Sequence, residues 1–283
     1  MSALNYINYS AQTAIIATQH KKESVIAPIL KSRLNLNSFT PSDYNTDQFG
    51  TFCGKVERSL DPLSTLRLKI KTAMDLYDYK IGVGSEGSFG SHPEAFFLPW
   101  EEEWLMFIDR ENKLEIVSKK VSTNTNFSSE VFDSITDIKK YAIQCGFPDH
   151  GLIIKERTGE IIAKVIYRWD DLWNAVNIGF QRSESIKIET DMRAQSNPRR
   201  MEVIAMACEN LCSKILSKCP NCSMPGFDIV DVVTGLPCSL CNLPTRSIKA
   251  RIKGCSICNY QTTIPLTEIK KTEDPTFCDH CNP

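Results

Sequence analysis

Eight of the twelve cysteines form four Cys-x-x-Cys pairs near the C-terminus: Cys219/Cys222, Cys238/Cys241, Cys255/Cys258 and Cys278/Cys281. Thiolates are soft ligands, and each pair can fill two corners of a zinc tetrahedron. Eight thiolates supply two closed four-cysteine sites. A closed site has no open coordination position, so the two zincs are expected to be structural. The tail has few large apolar residues, so metal binding must contribute most of its folding free energy. Disulfides, an iron–sulfur cluster and free thiols are the alternatives; without a secretory signal the spacing reads as metal ligands. Sequential pairing is predicted, 219/222 with 238/241 and 255/258 with 278/281. The rival joins 238/241 to 255/258 inside an outer 219/222–278/281 site. His280 lies between thiols that already complete the count.

Between the second and third pairs, residues 246–253 alternate strictly. Lys249, Arg251 and Lys253 share one strand face, and Ile248, Ala250 and Ile252 the other. That face is either a phosphate-tracking strand or a solvated one beside a buried one.

Three upstream segments are rich in groups that handle phosphate or metal. The first, residues 18–23, holds His20, Lys21 and Lys22 between an apolar run and a helical stretch, where backbone N–H groups can meet an anion. The second is a glycine-rich stretch after a strand, with Ser85, Glu86, Gly87 and Ser88, then His92-Pro93. An acidic group there, between glycines that admit a ligand, suits Mg²⁺; a wide turn is the plain alternative. The third, residues 189–200, offers Asp191 as a metal ligand and Arg193, Arg199 or Arg200 as an oxyanion clamp. A structural Asp–Arg pair is its alternative. A long polar loop adds Asp43, Thr46, Asp47, Thr51 and Arg58. Cys53 has no histidine near it in sequence. Together these groups suggest one cleft in which Glu86, Asp47 and Asp191 hold Mg²⁺, Arg193 clamps a phosphate and His92 donates a proton. There is no Walker loop, GxSxG, HExxH or GxGxxG.

The elements that must position these groups alternate between strand and helix. Residues 13–18 read as a buried strand and 21–34 as a helix, with a loop over 36–54. Asp61-Pro62 starts a helix bearing Leu63, Leu66, Ile70 and Met74. A strand over 79–84 runs into the glycine-rich loop. Hairpins are predicted over 104–117 and 151–167, helices over 128–145 and 170–180, and a strand over 186–189. Asn197-Pro198 opens the clearest helix, with Met201, Ile204, Cys208, Leu211 and Ile215 on one stripe. Cys208 and Cys212 are read as buried thiols. The fold class is α/β, a mixed-sheet domain over 1–216 followed by a double zinc ribbon over 217–283.

Composition agrees with a soluble globular chain: 283 residues, 42% hydrophobic, 24% charged, net charge -1. A strongly cationic nucleic-acid binder is not the first expectation. No apolar run approaches the ~20 residues that span a bilayer. The N-terminus lacks a basic stretch ahead of an apolar one, so cytoplasm is the expected compartment.

The segments ATQHKKE at 17–23, TDQFGTFCGKVER at 46–58, GSEGSFGSHP at 84–93 and ETDMRAQSNPRRM at 189–201, with the cysteine tail, resemble a prokaryotic family that bears a domain-of-unknown-function label. The resemblance implies an α/β domain with a zinc-ribbon tail and no assigned activity. A fainter one is to inosine/xanthosine triphosphate pyrophosphatases, where a helix with basic residues (here Arg67, Lys69 and Lys71) precedes a strand ending in an acidic glycine loop (here Glu86). The expected function is Mg²⁺-assisted hydrolysis of a nucleotide or similar phosphate compound. The alternative is a non-enzymatic module that binds nucleic acid or protein through the zinc tail.

Overall fold

The computed structural model describes residues 7–49, 61–266 and 269–283, with the Asp47 side chain also outside the description. The chain divides into two compact units, one spanning Tyr9–Leu211 and one holding Cys212–Pro283.

The first unit begins with β1 (Thr13–Ala17), α1 (Glu23–Leu34), β2 (Asn37–Phe39) and α2 (Pro62–Leu76), then β3 (Ile81–Ser91), β4 (Pro99–Asp109) and β5 (Leu114–Ser122). These strands form a mixed sheet in the order β2-β1-β3-β4-β5. β1 runs parallel to β2 and β3, while β3, β4 and β5 form an antiparallel meander. β1 is apolar because it is interior: Ala14 to Ala17 are all buried. α2 starts where Asp61 accepts hydrogen bonds from the amides of Leu63 and Ser64, both at 3.0 Å, with Pro62 in the first turn. Its buried stripe of Leu66, Ile70, Ala73 and Met74 packs on the sheet.

That packing corrects the glycine-rich loop. Residues 84–90 are not a loop but the middle of β3, paired along its length with β4. Gly82 and Gly84 are small because α2 lies on them. A Cβ at Gly82 would meet Ile70 Cγ2 at 2.5 Å, and one at Gly84 would meet Ile70 Cγ1 at 2.8 Å.

A second sheet follows from β6 (Ser129–Phe132), α3 (Ile138–Gln144), β7 (Leu152–Glu156), β8 (Ile161–Ile166), α4 (Trp169–Arg182) and β9 (Ile186–Thr190). Its order is β6-β9-β7-β8, all antiparallel. Phe132, Ile138, Leu152, Ile154, Leu172, Val176 and Ile188 share its core. The helix predicted over 128–145 is corrected to a strand and a short helix, because residues 129–132 pair with β9. The loop predicted over 36–54 contains β2 and a 3-10 turn over Thr46–Phe49. The last helix, α5 (Pro198–Leu216), follows. Ser118 on β5 donates to the Ala207 carbonyl at 2.9 Å, which fixes α5 across that sheet face. Cys208 and Cys212 are buried, as their place on the stripe implies.

The second unit holds β10 (Asp228–Thr234), β11 (Ile248–Gly254) and β12 (Gln261–Pro265), an antiparallel sheet in chain order. Its buried cluster is small: Phe227 with Cys219 and Cys255. No described helix is long and apolar enough to cross a membrane.

Candidate functional site

The four Cys-x-x-Cys segments are built alike. The residue after each second cysteine donates its amide to the first cysteine's carbonyl: Ser223 to Cys219 at 2.8 Å, Asn242 to Cys238 at 3.0 Å, Asn259 to Cys255 at 3.0 Å and Asn282 to Cys278 at 2.9 Å. This tight turn aims both thiols of a pair to one side. The pairs gather into two tetrads, Cys219/Cys222/Cys255/Cys258 and Cys238/Cys241/Cys278/Cys281, in each of which the sulfurs lie within 4.8 Å of one another.

The pairing is therefore alternate, first with third and second with fourth, and both sequence-based pairings are corrected. The strand order is the cause. The first pair precedes β10 and the third follows β11, and these ends meet where Asp228 pairs with Gly254. β12 then carries the chain back toward the second pair, where Glu273 bridges Cys238 and accepts the Ser239 amide at 2.9 Å. Across the tetrads, Cys219 and Cys258 sulfurs are 3.6 Å apart, Cys222 and Cys255 3.6 Å, Cys241 and Cys278 3.6 Å, and Cys238 and Cys281 3.9 Å. A disulfide needs ~2.05 Å. A tetrahedron with Zn–S of ~2.3 Å has edges of ~3.8 Å, which these separations match. The two tetrads have the donor set and spacing for two zinc ions.

In the first unit, Glu86, Asp191, Arg193 and Arg200 of the predicted polar residues sit in buried ion pairs. His20 and Lys21 have left-handed φ of 64° and 63°, a sharp turn that leaves Lys21 exposed and sends Lys22 inward. The Lys22 amine reaches the Ser85 carbonyl at 3.4 Å. Burial, reinforced by the charge of Arg200, pushes that amine down to about 7. Glu86 is buried and bonds to Lys69 of α2. Gly87 faces the other side of β3, where the Arg200 Nε donates to Glu103 Oε1 at 2.5 Å. Arg200 also donates to the Met192 carbonyl at 2.5 Å, beside Asp191. Asp191 is buried and accepts from the Arg193 side chain at 2.8 Å and from its backbone amide at 3.1 Å. Glu101, two residues from Glu103 on the same strand face, is fully buried; burial and the charge of Glu103 push its carboxyl up to about 7.

Lys22, Ser85, Glu86, Gly87, Asp191, Arg193 and Arg200 thus belong to one connected region. The fields of Glu86, Glu103, Lys69 and Arg200 all act on Lys22. The region lies where β1 ends and β3 runs on, near the carboxyl end of the parallel strands, as ligand sites of α/β sheets do. Glu86 and Asp191, two of the carboxylates meant for Mg²⁺, instead hold cations of the protein's own. Ser88 is half-buried in the same strand. His92 stands apart: six residues on from Glu86 is roughly 20 Å of strand. Its Nδ1 accepts the amides of Glu94 at 3.1 Å and Ala95 at 3.0 Å, a turn-closing role. Arg58 and Cys53 lie outside the described residues, as does the Asp47 side chain. Asp43 accepts from the Tyr77 hydroxyl at 2.7 Å. Glu101 and Glu103 were not singled out from the sequence, and Lys69 entered only as one of three basic residues on its helix. The signal was the period-2 pattern of β4, which puts Glu101 and Glu103 on one face with Leu105 and Phe107.

In the tail, Lys249 and Arg251 are exposed on β11 and Lys253 is half-buried. Arg251 stands in register with Val232 and Ile264, and Lys253 with Ile229 and Thr262, so the cations share their face with aliphatic side chains.

A family model described as a domain of unknown function (DUF6671) matches residues 69–283, about three quarters of the chain. The chain matches no curated protein. Neither finding carries the likeness to inosine/xanthosine triphosphate pyrophosphatases, and the acidic glycine loop on which that likeness leaned is a strand.

Proposed function

We propose that this chain, which belongs to the DUF6671 family, is a binding protein: a metal-folded tail that docks on an acidic protein partner, together with an α/β unit that recognises a small ligand. The observation that carries this reading is the composition of one face of the tail sheet. Lys249, Arg251 and Lys253 stand among Ile229, Val232 and Ile264, three aliphatic side chains each about 40% exposed. Aliphatic surface between cations suits a peptide that alternates acidic and apolar residues. Phosphates can use only the cations, and three contacts make a thin nucleic-acid footprint. Seven cations and six carboxylates occur over 217–283. That near balance lacks the large positive excess on which a phosphate backbone draws.

Hydrolysis with Mg²⁺ calls for carboxylates free to hold the metal. Glu86 is engaged by Lys69, Asp191 by Arg193 and Glu103 by Arg200. This engagement supports binding over catalysis.

Fluorescence anisotropy on the full chain tests the reading, with an alternating Glu/Val peptide, single-stranded DNA and duplex DNA as probes. The peptide is expected to bind, and to bind more weakly both in Lys249→Gln/Arg251→Gln/Lys253→Gln and in Val232→Ser/Ile264→Ser. Tighter binding of DNA than of peptide, lost in the first variant and kept in the second, restores the nucleic-acid reading. Mg²⁺-dependent phosphate release from a nucleotide panel, lost in Glu86→Gln, restores the hydrolase.

A further inference from the structure

The motif at 189–200 carries three arginines, and two are consumed: Arg193 holds Asp191 and Arg200 holds Glu103. Arg199 is placed differently. In the first turn of α5, it lines a cavity of about 280 Å³ with Asn126, Ser128 and Glu130 from the segment entering and forming β6, and with Tyr141 and Gln144 of α3. Among the described residues, neither Arg199 nor Glu130 has an ion-pair partner, and the two do not pair with each other.

Both charges line the one cavity without pairing with each other. The field of Glu130 acts on Tyr141 and Cys145. The field of Arg199 acts on His150. Polar groups line the same cavity and are already bonded: Tyr141 bonds Ser128 at 3.1 Å, and Asn126 is fixed by the Cys145 carbonyl at 2.8 Å and the Asn197 amide at 2.7 Å. The walls are therefore held by the protein's own bonds, while both charged groups are left for something else. One cation and one anion lining one small cavity do not suit a polyphosphate. They suit a compact molecule with an oxyanion at one end and an ammonium at the other. The volume lies just under the ~300–1,000 Å³ of drug-sized pockets, so the ligand is small.

We propose that this cavity binds a small zwitterion, an amino acid or close derivative, with its carboxylate on Arg199 and its ammonium on Glu130. Arg199 presents a planar fork that takes a carboxylate in two parallel hydrogen bonds. Glu130 adds the contact that separates a zwitterion from a plain anion. This inference rests on the small-ligand half of the reading above and is independent of the tail.

Calorimetric titration of the full chain with the common free amino acids tests it, with acetate and inorganic phosphate as anion-only probes. At least one amino acid is expected to saturate at one per chain. Arg199→Gln and Glu130→Gln are each expected to weaken it about tenfold or more, the worth of a charge-assisted hydrogen bond. Both side chains border solvent, so both variants should keep the parent melting temperature; Arg157→Gln, in the β7–β8 turn, serves as the unchanged control. Binding of no amino acid overturns the proposal, as does binding that survives both variants. Acetate or phosphate binding as tightly as any amino acid also overturns it, marking an anion site alone. Failure here leaves the peptide anisotropy of the tail unchanged, and failure of the tail leaves these titrations unchanged.

Discussion

Arg200 and Glu103 meet at 2.5 Å with both side chains wholly buried, and they do so against the backbone of Gly87. A Cβ at Gly87 would lie 2.3 Å from Glu103 Oε1 and 2.5 Å from an Arg200 terminal nitrogen. The glycine is there to make room for an ion pair. Gly87→Ala must displace one partner of a buried pair, at about 3–5 kcal/mol. Gly90, three residues along the same strand, has nothing within 4 Å of such a Cβ. Gly90→Ala should change stability by under about 1 kcal/mol, since only backbone entropy changes. Urea unfolding of the two variants checks the contrast. Equal midpoints would mean that the pair does not rest on Gly87.

Lys69 and Glu86 form the matching pair on the opposite face of β3. Lys69→Met leaves a buried carboxylate without its counter-charge and should cost about 3–5 kcal/mol. Adding Glu86→Gln removes the stranded charge, so the double variant should be more stable than the sum of the singles implies, by about 0.5–3 kcal/mol. A double-mutant cycle in urea measures this. Additivity within error would show that the two side chains do not depend on each other.

Two groups on this region give opposite pH dependences. Glu101 has its carboxyl pushed up to about 7 from 4.5. The folded state then holds a proton that the unfolded state releases, so stability present below 4.5 is lost as pH rises toward 7. The Lys22 amine is pushed down to about 7 from 10.5. Between those values the unfolded state holds the extra proton, so stability rises with pH. The two limbs meet in a minimum near neutrality. Glu101→Gln should flatten the acid limb alone and Lys22→Met the alkaline limb alone, read from unfolding free energies between pH 4.5 and 10. A profile that either variant leaves unaltered rejects the role given to that residue.

What was legible in the sequence is what depends on near neighbours. The stripe from Met201 to Ile215 announced α5, Asp61-Pro62 announced the start of α2, and the Cys-x-x-Cys spacing announced four metal-binding turns. What was not legible depends on partners far along the chain. Residues 85–90 looked like a loop because the reason for Gly87 lies elsewhere, in the Glu103–Arg200 pair. Residues 129–132 form a strand only because β9 lies beside them. Of three arginines in one motif, the sequence does not tell which two meet carboxylates. That follows from where β4 places Glu103 and where Asp191 turns back on Arg193.

The cysteine pairing was hidden for the same reason, and it can be tested without a structure. In the alternate arrangement Cys222 and Cys255 bind one ion, and Cys241 and Cys278 the other. Cys222→Ser should therefore lose one zinc per chain and keep one. Cys222→Ser/Cys255→Ser removes two ligands from the same tetrad, so it too should keep one. Cys222→Ser/Cys241→Ser strikes both tetrads and should keep none. Sequential pairing reverses the outcome, since 222 and 241 would then share a site while 222 and 255 would not. Elemental analysis of the purified variants decides between them. The tail has little core beyond Phe227 and its cysteines, so folding there is metal binding. The variant without zinc should lose its tail to proteolysis while the α/β unit persists. A zinc-free tail as resistant as the parent would show that its sheet stands without metal.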